Sequence, residues 1–161
     1  YYYHDFNFEN FSKDMIAGVR QATGNTGRPS ADTTYQQMIN AMPRFGLSAE
    51  RIGSSSGNTL LLTIQKAVVS GKPVIVLVHG NDLGRGEAYG DHFVVVTGFT
   101  PEGDVVVNDP DQRNENQLAN VRKDNPRWVN GGKLTIARST FISALTDADG
   151  GPSGLVVGSA S

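Results

Sequence analysis

The second half of the chain carries three short apolar runs dense in β-branched residues: Val74 to Val78, His92 to Phe99, and Val105 to Val107. Branching at Cβ restricts rotamers within a helical turn but packs well on a pleated surface, so runs this short read as strands. Thr100-Pro101-Glu102-Gly103 separates the second run from the third and has turn composition. Those two runs are therefore predicted to pair as an antiparallel hairpin. Leu134 to Ala137 and Leu155 to Val157 are expected to be further strands, with a short helix from Ser139 to Leu145 between them. Asp109 to Gly132 reads as a long polar excursion with Trp128 as a loop anchor or a wall against substrate.

The first seventy residues follow a helical period instead. Ser12 is predicted to cap a helix with Met15, Ile16 and Val19 on one face, and Gly24 to Pro29 is loop by composition. Asp32 or Thr33 is expected to cap a second helix through Tyr35, Met38, Ile39 and Met42, with Pro43 at its end. Gly46-Leu47 opens an extended stretch to Ile52, and Asn58 or Thr59 caps a third helix that stops at Gly71 and Pro73. Helices followed by an antiparallel sheet imply the α+β class. We expect one domain over 1–161, its helical part in 1–72 and its sheet part in 73–161.

Charge and composition narrow the function. Lys and Arg number 14 against 16 Asp and Glu, a formal charge of -2, which gives no basis for a nucleic-acid partner. No apolar run approaches the roughly 20 residues that span a bilayer, so membrane insertion is not expected. The chain has no cysteine, which excludes disulfides, thiolate-bound zinc and a cysteine nucleophile within these residues. Its 19 glycines, with many Asn, Ser and Thr and few Lys, suggest an extracellular or cell-envelope setting. Tyr1-Tyr2-Tyr3 replaces an initiator Met, so we expect a fragment with a segment upstream. The aromatic start, Tyr1 to Phe11, is expected to pack on the core or to serve as a peptide-binding or self-association patch.

The chemistry-bearing residues sit at strand ends. His92 opens one strand of the predicted hairpin and Asp109 closes the other, so pairing should bring imidazole and carboxylate to one end of the sheet. A carboxylate on one ring nitrogen fixes the tautomer and stabilises the imidazolium, leaving the other nitrogen to move a proton. Spacing alone also admits a polar His and an Asp-Pro turn with no catalytic role.

The order Gly71-Lys72-Pro73-Val74, then His92-Phe93-Val94-Val95-Val96-Thr97-Gly98-Phe99, then Val107-Asn108-Asp109-Pro110, then Thr135-Ile136-Ala137-Arg138-Ser139-Thr140-Phe141 resembles the double-glycine cysteine peptidases. These are the bacteriocin-processing peptidases and their secreted relatives, with a papain-like fold. The resemblance implies His92 as general base, Asp109 as its orienting carboxylate, and a peptide or protein substrate. It also implies a nucleophilic Cys at a helix start, shortly after a Gln, and neither has a match here; Gln21 is not followed by Cys-Gly-Pro. The expectation is thus a cysteine-peptidase-like domain that is inactive as a lone chain, or a peptide- or cell-wall-binding module.

Other motifs compete less well. Gly53-Ser54-Ser55-Ser56-Gly57 matches a serine-hydrolase nucleophile pattern and Val76-Leu77-Val78-His79-Gly80 a strand-end His-Gly. The serine run precedes the His-Gly strand, the reverse of what that machinery needs, so a serine hydrolase is a remote reading. His4, His79 and His92 with Asp5, Asp82 or Asp91 lack the close pairing of metal ligands, and Asp109 to Asn114 lacks the central Gly of a calcium loop. Neither metal nor cofactor is expected. Gly84 to Gly90 links two strands without opening a helix, so it reads as a rim loop beside His92 instead of a phosphate cradle.

Overall fold

The computed structural model describes residues 33–83, 90–109, 128–129 and 133–160. The helix predicted after Ser12, the aromatic start, the rim loop over 84–89 and most of the polar excursion lie outside the described residues. The chain divides into two compact units, residues 1–49 with 159–161, and residues 50–158.

In the first unit, helix α1 spans Tyr35–Ala41. Its cap is Thr34, one residue later than the nearer of the two predicted caps. The reason is a capping box: the Thr34 hydroxyl accepts from the Gln37 amide at 3.2 Å, and the Gln37 side chain accepts from the Thr34 amide at 2.8 Å. Pro43 does not stop the chain but enters a 3-10 turn, Met42–Phe45, which Gly46 closes at φ 67°. Ser48 Oγ donates to the Ser159 carbonyl at 3.0 Å, and the Ala160 amide to the Gly46 carbonyl at 3.0 Å.

The described residues form seven strands: β1 Leu47–Gly53, β2 Val74–His79, β3 Asp91–Phe99, β4 Val105–Asn108, β5 Trp128–Val129, β6 Lys133–Ile136 and β7 Ser153–Ser159. Their order in the sheet is β1-β7-β2-β3-β4-β6-β5. The β2–β3, β2–β7, β3–β4, β4–β6 and β5–β6 pairs are all antiparallel. The α+β class expected from residue order is what forms. Strand β1 takes the extended stretch expected to run to Ile52, and one strand goes beyond that reading, β5 inside the polar excursion.

Among the described residues of the second unit are the helices α2 Gly57–Val69 and α3 Arg138–Thr146. Helix α2 starts earlier than Asn58 or Thr59, with Ser56 as its cap. Gly57 lets this helix start lie close to α3, because a Cβ there would stand 2.7 Å from the Ile142 carbonyl and 2.5 Å from Thr146 Oγ1. Helix α3 follows Ala137, which has no side-chain acceptor; Asp104 Oδ1, from the turn between β3 and β4, takes the Arg138 amide at 3.2 Å. A carboxylate at this terminus satisfies an orphan donor and complements the helix dipole.

One sheet face carries the core. Register and alternation place Val74, Val76 and Val78 of β2 opposite Val96, Val94 and His92 of β3. Val105 and Val107 of β4 with Ile136 and Leu134 of β6 extend this face. Leu60, Leu61 and Ile64 of α2 and Phe141, Ala144 and Leu145 of α3 join the same buried cluster. Each such aliphatic or aromatic side chain contributes about 1.5–3 kcal/mol on full burial. The core thus holds rigid the strands that end at His92 and Asp109.

Candidate active site

The β3–β4 register sets the two residues face to face. Phe99 stands opposite Val105 and Gly98 opposite Val106, but past Thr97 the register shifts, and Val96 meets Val107 and Val95 meets Asn108. Continued one step, the shifted register puts Asp109 opposite Val94. His92, two residues earlier on the same face, is then its diagonal neighbour, within reach of an imidazole. Were Thr97 paired with Val107 in an unbroken register, Asp109 would stand opposite Val95 and point to the other face. The bulge therefore creates the pair.

His92 Nε2 lies 2.7 Å from Asp109 Oδ1. The Asp109 side chain is 0% exposed and that of His92 16%, so bulk water hardly screens the bond. A buried carboxylate is costly unless it is hydrogen-bonded, and this contact supplies a bond. Because Nε2 is committed to Asp109, proton exchange with a reacting group would run through Nδ1. Asp109 would stabilise the imidazolium formed in that exchange.

A second pair adjoins the first. His79 Nδ1 lies 3.1 Å from Asp91 Oδ1, and Asp91 Oδ2 accepts the Asp149 amide at 2.7 Å. His79 and Asp91 are cross-strand partners, as Val78 and His92 are, so the two His/Asp pairs lie on opposite faces at one sheet end. The hydrogen bond to Asp91 raises the His79 pKa above 6.5, with smaller contributions from the charges of Asp82, Asp91 and Asp147, while burial opposes the shift. Asp82 Oδ2 is buried with no hydrogen-bond partner among the described residues. A raised folded-state pKa means that the stabilisation is fully present below the unfolded value of about 6.5 and is lost as pH rises through the folded value. Chemical denaturation at pH 6 and pH 8.5 should show greater stability at the lower pH from this pair. Asp91→Asn should shrink the difference, and an unchanged difference would assign it to other groups.

The remaining sequence candidates separate from the dyad. The serine run does lie between a strand and a helix, but Ser54 Oγ accepts from the Ser56 amide at 3.2 Å. Among the described residues no non-glycine has positive φ, so the strained elbow of a serine nucleophile is missing. Strand β1, which ends at Gly53, is three positions from β3 in the sheet, about 14 Å at the usual spacing, so Ser54 is out of hydrogen-bond reach of His92. No group of three or more His, Asp or Glu among the described residues is arranged to hold a metal ion. His4, Asp5 and the loop after Asp109 lie outside the described residues. Asp91 as a ligand to His79, and Asp104 as a cap for α3, were not foreseen. The bulge had one signal in the sequence, Gly98 inside a strand run.

The sequence matches the Peptidase_C39 like family over residues 1–136. The chain belongs to that family. Among solved structures, this C39-like chain is similar to a C39-like peptidase from Bacillus anthracis, at 16% identity and a TM-score of 0.48. The match covers 79% of this chain and 65% of that one, so the chain spans less than two thirds of that protein's length. No curated protein matches the sequence. The fold of the C39-like chain is the papain-like α+β arrangement that its motifs imply. The cysteine nucleophile that the resemblance implies has no counterpart among its 161 residues.

Proposed function

We propose that this C39-like chain is a peptide-directed domain in which His92 is the general base and Asp109 its orienting carboxylate, with no cysteine-dependent hydrolysis of its own. The observation that carries this reading is the 2.7 Å bond from His92 Nε2 to a fully buried Asp109. In the chemistry that such a pair serves, Nδ1 takes the proton of a thiol and the thiolate attacks the peptide carbonyl. The imidazolium then returns that proton to the leaving amine. The thiol is the reactant that the 161 residues do not carry. The substrate would be a peptide or protein with a Gly-Gly or Gly-Ala junction, met outside the cell or at its envelope. The missing thiol favours a second reading, a binding module that has kept the dyad.

The test supplies the thiol from outside. With peptides bearing Gly-Gly or Gly-Ala junctions the chain alone should show no alkylator-sensitive turnover, and finding it would sink the claim of inactivity. With an activated Gly-Gly ester and a small added thiol, wild type should exceed His92→Ala by at least about a hundredfold, the low end for general-base assistance. Equal rates, with the peptide still bound, would leave the binding module.

A further inference from the structure

Asp91 precedes His92 in β3 yet faces the other side of the sheet, so it takes no part in the dyad. Its carboxylate nonetheless holds two partners at that strand end. One carboxylate oxygen meets His79 at 3.1 Å at the end of β2, and the other accepts the Asp149 amide at 2.7 Å in the turn after α3. Three chain segments are thus joined at the residue next to the dyad. Asp91 is also the first residue of its strand, and strand ends fray unless they are held.

We propose that Asp91 is a positioning residue for His92, its carboxylate bridging His79 and the Asp149 amide so that the first residues of β3 hold the imidazole against Asp109. This rests on reading His92 as the base of the site. A sideways shift of His92 by a fraction of an ångström lengthens a 2.7 Å bond that is already at the short end of its range. The groups facing His79 agree with the bridge: Asp91 from β3, Asp82 from the 3-10 turn Gly80–Leu83, and Asp147 at the end of α3 all favour its protonated form. The charged form of His79 strengthens the bridge, and the neutral form retains only a ring N–H to donate.

The readout is exchange of the His92 ring Nε2 proton with water, followed by proton–nitrogen NMR at pH 6 on the whole chain. Asp109→Ala identifies the signal by removing its acceptor. Asp91→Ala, with near-UV circular dichroism confirming an intact core, should speed the exchange roughly tenfold, the effect of losing about one hydrogen bond of restraint. Unchanged exchange in folded Asp91→Ala overturns the proposal, because a residue that only staples the fold would lower the melting temperature and leave the ring alone. If Asp91→Ala does not fold, Asp91→Asn keeps one acceptor and should give a smaller increase, and no increase there overturns it as well. Failure of the ester assay would remove the base reading while leaving this exchange measurement intact, so the two failures are distinguishable.

Discussion

Phe141→Ala is expected to lower the unfolding free energy by about 3–5 kcal/mol. Phe141 is fully buried in α3 and belongs to the cluster that joins α2 and α3 to the valines of β2, β3 and β4 and to Leu134 and Ile136 of β6. Truncation removes its transfer energy and leaves a cavity that a sheet held on several sides cannot close. Domains of this size have about 5–15 kcal/mol in total, so the variant would lie close to its unfolding threshold. Urea denaturation should show a lower midpoint at an unchanged slope. A loss below about 1 kcal/mol would mean that α3 does not pack as described. The site should respond too, because α3 begins at the Asp104 cap and ends just before Asp149, the amide that Asp91 holds.

Gly57→Ala is the second large effect, with an expected loss of about 1–3 kcal/mol from overpacking. The added methyl would stand 2.5 Å from Thr146 Oγ1 and 2.7 Å from the Ile142 carbonyl. These two obstacles differ in kind. The hydroxyl can rotate away, at the cost of the 2.7 Å bond it donates to that same carbonyl. The carbonyl is helix backbone and cannot move without shifting α3. Thr146→Ala in the same chain should therefore recover less than half of the loss, as read from a double-mutant cycle. Full recovery would show that the hydroxyl alone limits the approach of the two helices.

The hairpin shows how far residue order goes. Val94, Val96, Val105 and Val107 announce strands by themselves, and Thr100 to Gly103 announces the turn, because both are short-range preferences of backbone and Cβ. That His92 and Asp109 would share a sheet end follows from those two facts. That they share a face does not. An ordinary hairpin register would set them on opposite sides, and the pair depends on Thr97 being the unpaired residue. Gly98 hints at a bulge without saying on which side of it the ladder slips. The helix starts divide similarly: Thr34 caps α1 through Gln37, three residues away, a local pattern open to reading and placed one residue off. Helix α3 begins after Ala137 because distant chain fills the need, Asp104 taking the Arg138 amide, and the glycine at the start of α2 answers to Ile142 and Thr146 of α3.

The same division holds for the function. Strand content, helix content, the α+β class, the lack of a thiol and the identity of His92 and Asp109 as the residues to watch all come from local composition and order, because each depends on neighbours a few positions apart. The 2.7 Å contact, the burial of Asp109 and the bridge from His79 through Asp91 to Asp149 depend on residues 17, 12 and 58 positions apart meeting in one register. Strand alternation has period two, so a slip of one residue reverses every face, and no local preference is strong enough to choose between the two registers. That choice falls to the buried valine face, whose closure against α2 and α3 is satisfied in only one of them.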